Sequence, residues 1–330
     1  MEDERKLYPM RFCSLQDEYV WGSEEFKLAD LGYRDTLVRD GWLGGNLLSE
    51  VMETYMDRVT GDAVYESFGR QFPLCVRVLH VNGRMPLRVH PDDEIASQRY
   101  DSLGKDKIWY VLRAGRGACV MAGWRHKVDA SQVWNACRDG SVHDLLNIVA
   151  VHQGQCLRIA PGTPHAAEGD LDILEIGESS GLDFCMCDWG QEVREDEFDP
   201  SLTLEDAIDF IDYGPAAAQS APDGKLVSLP VLEVSPLPLD APLRIESGNL
   251  DSFVLYSCLS GGVAVQLEVL GRTASFPVKA GETILVPAEC TSYVLAPTVA
   301  ATVLLESIVP RPQRPDSYIN PDAAEKLEDD

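Results

Sequence analysis

The sequence predicts a mostly-β chain that folds into two strand-rich domains with a few helices inserted in and between them. Short stretches rich in β-branched and aromatic residues alternate apolar with polar side chains. Gly and Pro interrupt these stretches at short intervals, as in a β-sandwich or barrel. One strand-and-turn pattern also occurs twice. The chain has 330 residues, which is long enough for two hydrophobic cores.

The individual elements follow from the spacing of apolar residues. Clear strand patterns occupy residues 73–81, 108–112, 118–121 and 171–176. Residues 47–59 and 204–211 instead carry apolar side chains at helical spacing. Thr203 precedes the second of these as a predicted N-cap, with Asp206 at the third helical position.

Changes in composition predict the domain boundaries. We expect an N-terminal domain with helical insertions at residues 1–212, a linker at 213–225, a C-terminal strand-rich domain at 226–310 and an acidic surface tail at 311–330. The linker is assigned because it is rich in Pro, Gly and small residues and lacks an apolar period. The tail is assigned because it is polar, acidic and contains proline.

The repeated pattern is a glycine turn, a strand and then a proline turn. It begins at Gly154 in the first half and at Gly281 in the second half. When these two glycines are aligned, His165 in the first copy corresponds to Ser292 in the second. Because serine is a poor metal ligand, we expect any metal-dependent chemistry in the first copy.

The charge balance restricts the classes of partner. The formal net charge is −26, so nucleic-acid backbones and anionic membranes would be repelled. The sequence has no apolar run of membrane-spanning length, and its charged N-terminus leads into no apolar signal segment, so we expect a cytoplasmic protein. The nine cysteines show no disulfide framework and are expected to be reduced. Cys185 and Cys187 could bind a metal ion, but we expect them to share the buried face of a strand.

Two short segments each supply a histidine close to the end of a predicted strand. They are residues 88–94, which contain His90, and residues 161–165, which end in His165. Two histidines brought together inside a β-barrel are typical of a metal site. The other histidines of the chain are isolated in sequence, and we expect them to lie on the surface or in the core.

The pattern from Gly154 to His165 resembles the second motif of the cupins, and its two copies indicate a bicupin of two jelly-roll β-barrels. Further motifs run along most of the chain: Tyr8-Pro9, Val20-Trp21-Gly22, Phe72-Pro73-Leu74, His90-Pro91-Asp92-Asp93-Glu94, Gly104-Lys105, Trp109-Tyr110, Gly162-Thr163, Glu175-Ile176 and Asp188-Trp189-Gly190. Their order resembles that of the type I mannose-6-phosphate isomerases of the short bacterial form.

This resemblance implies a zinc-dependent aldose–ketose isomerase that acts on a sugar phosphate through an enediol. His90 and His165 match metal-ligand positions of the family. Three other positions depart from it: Arg88 stands where the family has a ligand Gln, Lys107 where it has a ligand Glu, and Gln191 where it has a substrate-binding Arg.

These departures argue against an intact metal site. A guanidinium at Arg88 and an ammonium at Lys107 would face the cation, and each repels it by roughly 4 kcal/mol at ~4 Å and an intermediate dielectric. We therefore expect no cofactor, or zinc if the inherited site survives. His90 and His165 would then be remnant ligands only.

Three nearby acids could take other roles. Asp106 could replace the missing ligand, although strand alternation turns it to the opposite face from Lys107. Glu94 has the spacing of a cupin ligand, but it also suits the first turn of a helix. We expect Glu175 to face the barrel interior and to pair with Arg88 or Lys107 in a buried salt bridge.

Three hypotheses for function follow. The first is a sugar-phosphate isomerase with an altered metal site or none, in which Lys107 polarises the carbonyl group and Glu175 or His90 moves the proton. Candidate substrate-binding residues are Arg88, Lys105, His90 and His165. Lys105 matches a family lysine near the phosphate but could equally be an exposed turn lysine. The second hypothesis is a non-catalytic bicupin that binds a sugar or sugar phosphate for regulation, and the third is a different metal-dependent cupin enzyme, which two histidines without a carboxylate make the weakest.

Overall fold

The computed structural model describes residues 5–191, 202–217, 225–269 and 272–310. Strands dominate its regular structure, so the predicted mostly-β class is confirmed. The helices are α1 Leu48–Tyr55, α2 Asp57–Thr60, α3 Asp62–Phe68, α4 Asp93–Tyr100, α5 Ala130–Asp139 and α6 Leu204–Ala207, with a 3-10 turn at Val142–Leu145. The strands are β1 Met10–Arg11, β2 Leu15–Tyr19, β3 Gly22–Leu28, β4 Leu74–Val81, β5 Leu87–Val89, β6 Lys107–Ala114, β7 Cys119–Trp124, β8 Leu146–Ala150, β9 Cys156–Ile159, β10 His165–Glu168, β11 Leu171–Glu178, β12 Phe184–Cys187, β13 Val227–Ser228, β14 Glu233–Leu239, β15 Leu243–Glu246, β16 Val254–Ser260, β17 Gly262–Val269, β18 Arg272–Lys279, β19 Thr283–Val286, β20 Ser292–Pro297 and β21 Thr302–Ile308.

The chain forms two compact units that do not follow the order of the sequence. The described residues of the first, which we call the site unit, fall within Leu15–Phe26 and Cys75–Ser220. Those of the second unit fall within Met1–Ser14, Lys27–Leu74 and Ala221–Asp330. The helices α1, α2 and α3 therefore group with the C-terminal strands. The domain boundaries predicted from composition remain a prediction.

The site unit encloses its core between two sheets. One sheet has the strand order β12-β5-β10-β7-β8, and the other has the order β2-β3-β4-β11-β6-β9. Val89 and Val120 from the first sheet and Val111 and Ile173 from the second belong to one cluster of buried apolar side chains. The alternation that predicts these strands thus places one face of each sheet in a shared core.

Strand register places the two histidines close together. Arg88 on β5 lies directly opposite His165, the first residue of β10. His90 follows the end of β5 at once. The backbone N–H of Gly162 also donates to the carbonyl of His90, which ties the two predicted histidine segments to each other.

The second sheet supplies the other side of the site. Antiparallel pairing of β6 with β11 sets Lys107 opposite Gly177 and Trp109 opposite Glu175. A Cβ atom added at Gly177 would lie 2.4 Å from the Cβ of Lys107, so only glycine leaves room for the lysine stem there.

The second unit is also built from two sheets. Their strand orders are β1-β19-β16-β21-β14-β13 and β15-β20-β17-β18. Tyr256, Val265, Leu295 and Leu304 form part of its buried core.

The predicted internal repeat is present in both units. Gly154 and Gly281 adopt φ values of 84° and 83°, a left-handed conformation that favours glycine, shortly before β9 and β19 respectively. His165 begins β10 and Ser292 begins β20, as the alignment predicts.

The helices differ in one respect from their prediction. The segment at residues 47–59 is not one helix, because Met56 adopts a φ of 45° and separates α1 from α2. The N-cap at Thr203 is confirmed, since its backbone N–H and its hydroxyl both donate to the Asp206 carboxylate at the start of α6. In the part of the chain that the structure describes, no helix is both long and apolar enough to cross a membrane. The predicted tail, and residues 218–224 of the predicted linker, lie outside the described residues.

Candidate functional site

His90 and His165 meet in the interior of the site unit. Their Nε2 atoms are 3.1 Å apart, and each residue is 1 % exposed. The Nδ1–H of His90 donates to the carbonyl of Leu182, and the Nδ1–H of His165 donates to the carbonyl of Thr163. Since a carbonyl only accepts, each imidazole carries its proton on Nδ1 and presents the bare Nε2 to the other ring.

The charge state of the histidine pair is set by its surroundings. Burial, and next the ammonium of Lys107, hold the pKa of both His90 and His165 well below the usual range for histidine. The two rings are therefore neutral near pH 7, with two lone pairs facing each other.

Lys107 and Glu175 form a buried ion pair inside the same unit. The Nζ of Lys107 lies 2.8 Å from the Oε2 of Glu175, and the two residues are 1 % and 4 % exposed. Burial lowers the pKa of Lys107 to about 8; Glu175 opposes this effect, and the cations Lys105 and Arg77 add to it. Burial alone would raise the pKa of Glu175, but Arg77 and Lys107 hold it well below its usual range. The pairing with Lys107 is one of the two that the sequence predicts.

Arg77 also binds Glu175 and was not anticipated from the sequence. The Nε of Arg77 donates to the Oε1 of Glu175 at 2.7 Å, and its NH1 donates to the Oε2 of Glu24 at 2.8 Å. The indole N–H of Trp109 donates to the Oε2 of Glu175 at 2.6 Å. Both oxygens of this carboxylate are therefore occupied by protein donors.

Arg88 and Lys105 complete the group through two further acids. The NH1 of Arg88 donates to the Oε1 of Glu24 at 3.1 Å. The Nζ of Lys105 donates to the Oδ1 of Asp183 at 3.2 Å, and this same oxygen lies 3.0 Å from the Nδ1 of His90. Lys105 is 4 % exposed, so the alternative of an exposed turn lysine is wrong.

We call these seven charged residues the ion cluster: Arg77, Arg88, Lys105, Lys107, Glu24, Glu175 and Asp183. It contains four cations and three carboxylates, all from the site unit. Burial raises the pKa of Asp183, but Lys105, His90, Arg77 and Arg88 together hold it well below its usual range. With every member ionised, the ion cluster has one positive charge in excess.

The residues of this site do not fit a zinc ion. A catalytic zinc has three protein ligands, and the two imidazoles supply two. Neither nearby carboxylate is available as a third ligand. The oxygens of Glu175 are bound to Arg77, Trp109 and Lys107, and Asp183 accepts from Lys105 on the Nδ1 side of His90, away from the bare Nε2 atom. Among the described residues, no group of three or more His, Cys, Asp or Glu side chains is arranged to hold a metal ion.

Other residues singled out in the sequence lie away from the ion cluster. Asp106 faces away from Lys107 and accepts from the Nε of Arg158 at 3.0 Å. Glu94 lies in the first turn of α4. The side-chain amide of Gln191 donates to the carbonyl of Arg84 at 3.0 Å.

The expectation for the two cysteines of β12 is wrong in one respect. Cys185 and Cys187 do share a face of the strand, but they are partly exposed, and it is Met186 between them that is buried. The remaining histidines are exposed or partly exposed: His80, His126, His143 and His152.

Glu178 is a buried acid beside the ion cluster. It is 3 % exposed, its Oε2 accepts from the backbone N–H of Asp106 at 2.8 Å, and its Oε1 has no hydrogen-bond partner among the described residues. Burial, and next the carboxylate of Asp93, raise the pKa of Glu178 well above its usual range. Burial and the neighbouring carboxylate therefore favour the protonated, uncharged form of Glu178 over its carboxylate.

Comparison with known proteins finds similar sequences and similar folds. No family model matches the chain. A mannose-6-phosphate isomerase of Streptococcus mutans is 26% identical over 226 residues, which cover 66% of this chain and 68% of the relative. A mannose-6-phosphate isomerase of Bacillus subtilis is 24% identical over 226 residues, which cover 62% of this chain and 68% of the relative.

Solved structures show the same likeness in fold. The crystal structure of the mannose 6-phosphate isomerase from Bacillus subtilis has a TM-score of 0.73 at 18% identity and covers 91% of this chain and 99% of that one. A single-residue variant of phosphomannose isomerase from Salmonella typhimurium has a TM-score of 0.69 at 13% identity and covers 91% and 99% respectively. The fold is thus that of a mostly-β, cupin-type protein. The chain is similar to mannose-6-phosphate isomerases in both sequence and fold, and the resemblance that its motifs indicate is confirmed.

Proposed function

We propose that this mannose-6-phosphate isomerase-like protein binds a sugar phosphate in the site unit without a metal ion, and that it does not carry out zinc-dependent isomerisation. The observation that carries the proposal is the buried ion pair of Lys107 with Glu175, whose nitrogen and oxygen are 2.8 Å apart. In this pair, the carboxylate that a zinc ion would need is bound to a protein cation instead. The pair lies in the interior of the site unit, as the two histidines do.

The charge of the ion cluster supports an anionic ligand. Its four cations outnumber its three carboxylates, in a protein whose formal net charge is −26. A buried excess of positive charge is costly unless an anion neutralises it. A phosphate group accepts several charge-assisted hydrogen bonds from arginine and lysine and would supply that charge.

The free-energy cost of burying the Lys107 ammonium also supports the proposal. An ammonium that is buried and has a lowered pKa destabilises the empty folded state, and such features are typical of functional sites. An incoming phosphate would stabilise the charged form of Lys107. We therefore expect sugar phosphate binding near pH 8 to take up protons from the buffer.

Calorimetry on chelator-treated protein tests the proposal. We expect mannose 6-phosphate to bind, and mannose, which lacks the anionic group, to bind more weakly. Substitution Lys107→Met removes a buried charge-assisted hydrogen bond and should weaken binding by roughly 10- to 100-fold, since such a bond contributes about 1.5–3 kcal/mol. Lys127→Met, the same change at an exposed lysine of the site unit, is the matched control and should leave binding unchanged.

A second candidate function is metal-independent isomerisation of the same ligand. It is favoured by the pKa of about 8 at Lys107, which suits proton donation to a carbonyl oxygen near neutral pH. In this case chelator-treated protein would interconvert mannose 6-phosphate and fructose 6-phosphate, and Lys107→Met would abolish turnover. Zinc-dependent turnover with stoichiometric bound zinc would contradict both candidates.

The proposed partner is a small sugar phosphate, and the proposed setting is the cytoplasm. The acidity of the chain supports a small-molecule partner over nucleic acid or an anionic membrane surface.

A further inference from the structure

A surface cavity lies between the N-terminal half of α5 and the segment that follows α6. Its volume is about 250 Å³, and its lining residues are Ala130, Ser131, Trp134, Asn135 and Ile208. We call this cavity the α5 groove. Its lining shares no residue with the ion cluster, so any ligand it takes is bound at a separate place in the site unit.

One wall of the α5 groove is a single face of the helix. Ser131, Trp134 and Asn135 lie together because residues three and four apart are neighbours on a helix surface. A capping box fixes where this helix begins, since the Asp129 side chain and the Gln132 side chain each accept from the other residue's backbone N–H. Trp134 also packs against the apolar core of the site unit. Its ring is therefore held in place in the absence of a ligand.

The opposite wall is Ile208, which directly follows α6 and packs against the same core. The carbonyl of Ile208 accepts from the hydroxyl group of Tyr213. The carbonyl of Tyr213 in turn accepts from the backbone N–H of Val128, two residues before α5 begins. These bonds tie the two walls to each other, so that the groove is largely formed before a ligand enters, and less entropy is lost on binding.

The polar groups of the groove are available to a ligand. The indole N–H of Trp134, the hydroxyl group of Ser131 and the side-chain amide of Asn135 have no hydrogen-bond partner among the described residues. Together they offer donors and acceptors around an aromatic ring. A wholly apolar ligand would cover these groups without pairing them, which is unfavourable.

The charges around the groove disfavour an anionic ligand. All five lining residues are uncharged. Asp209, the neighbour of Ile208, is already paired with Arg99 through two hydrogen bonds of 3.0 and 2.6 Å. A phosphate or carboxylate group in the groove would therefore lose water without gaining a cation.

We propose that the α5 groove is a binding site for a neutral hexose. The C–H face of the sugar ring packs on the indole of Trp134, and sugar hydroxyl groups bond with Asn135 and Ser131. This inference does not depend on the proposed function, which concerns an anionic ligand at the ion cluster. Since the ligand has only about a dozen non-hydrogen atoms, the expected Kd is on the order of millimolar.

Nitrogen–proton correlation spectra of the full chain, labelled with ¹⁵N, test the inference. The chain has six tryptophans, and each indole N–H gives its own signal. The signal of Trp134 is assigned by its loss in Trp134→Phe. We expect D-mannose to shift the Trp134 signal with the same midpoint in the wild type and in Lys107→Met. Absence of this shift up to about 50 mM mannose, well above a millimolar Kd, would overturn the inference.

Two comparisons test whether a sugar is recognised. Asn135→Ala removes an exposed amide and should weaken mannose binding roughly three- to tenfold, while Asn249→Ala, the same change at an exposed asparagine of the second unit, should not. Cyclohexanol has the same ring size but a single hydroxyl group, and should bind at least about threefold more weakly than mannose. Equal midpoints for Asn135→Ala and the wild type, or for cyclohexanol and mannose, would contradict sugar recognition.

The same spectra separate this inference from the proposed function. The indole N–H of Trp109 donates to Glu175, so its signal reports on the ion cluster. Mannose 6-phosphate should shift the Trp109 signal of chelator-treated protein if the proposed function holds. A Trp134 shift with mannose supports the hexose site whether or not Trp109 responds to mannose 6-phosphate. A response of Trp109 alone overturns the hexose site and leaves the proposed function standing.

Discussion

Replacing Lys107 by methionine should stabilise the empty protein near neutral pH. A lysine ammonium ordinarily has a pKa near 10.4, so a value of about 8 means that the folded state disfavours the charged form by about 3 kcal/mol. Methionine removes this charge and has a similar length. Glu175 keeps two donors in the variant, since Arg77 and Trp109 both remain bound to it. We expect the free energy of unfolding at pH 7 to rise by up to about 3 kcal/mol.

The dependence on pH has a definite sign. The pKa of Lys107 is lower in the folded state than in the unfolded state, so the penalty is fully present below pH 8, where both states hold the proton. Between about pH 8 and 10.4 the unfolded state binds more protons, and the stability of the wild-type protein rises with pH. The wild type should gain about 2 kcal/mol relative to Lys107→Met between about pH 7 and 9.5.

Urea unfolding of the two proteins at several pH values measures both effects. Groups other than Lys107 titrate equally in the two proteins and cancel in the difference. If Lys107→Met unfolded more easily than the wild type by ~2 kcal/mol or more at pH 7, in the range of a broken buried pair, an excess buried cation would not describe this site.

Four other substitutions test separate parts of the structure by the same unfolding measurement. Glu175→Gln leaves Arg77 and Lys107 without their shared carboxylate and should cost about 3–5 kcal/mol, and a cost below ~1 kcal/mol would contradict the pairing. Glu178→Gln removes the titratable group at this position. The stability of the wild type should fall as the pH rises above the usual carboxyl pKa range and through the raised pKa of Glu178, and the glutamine variant should lack this fall. Equal slopes for the two proteins would refute the raised pKa. Gly177→Ala brings a methyl group against the Lys107 stem and should cost about 1–3 kcal/mol, whereas an unchanged stability would contradict the close packing there. Asp92→Ala removes the side chain that caps α4 and should cost about 1 kcal/mol with ligand binding unchanged, so that a loss of binding would assign this segment a further role.

The sequence indicates part of the site because strand periodicity and motif order act together. Period-2 alternation at the start of β6 directs Lys107 into the ion cluster and the preceding Asp106 to the opposite face, as the structure has them. The family motifs predict that His90 and His165 converge, and their Nε2 atoms are 3.1 Å apart. The choice of partner for Glu175 could be narrowed to two cations, but strand pattern alone does not rank them.

The acids and the arginine that complete the ion cluster were missed for different reasons. Arg77 is a charged residue within a mostly apolar strand, and this is a signal that could have marked it as a buried partner. Glu24 and Asp183 come from β3 and from the loop before β12, where the sequence carries no period that fixes the direction of a side chain. Their placement depends on pairings between residues far apart in the chain. Glu24 and Arg77 are separated by 53 positions in the sequence, and Lys105 and Asp183 by 78.

The grouping of helices with the C-terminal strands has a similar origin. Hydrophobic period predicts that a helix exists near residues 47–59, but it does not say which sheet covers it. Met56 breaks that helix by its left-handed conformation, for which its residue type gives no warning.

The most direct test of the site is the binding of mannose 6-phosphate to protein from which metal has been removed. The ion cluster predicts that the chelator-treated wild type binds this ligand, that Lys127→Met binds it equally, and that Lys107→Met binds it roughly 10- to 100-fold more weakly. Binding that requires one equivalent of zinc, and that survives loss of the Lys107 ammonium, would contradict the proposal that the ion pair of Lys107 with Glu175 replaces a metal site.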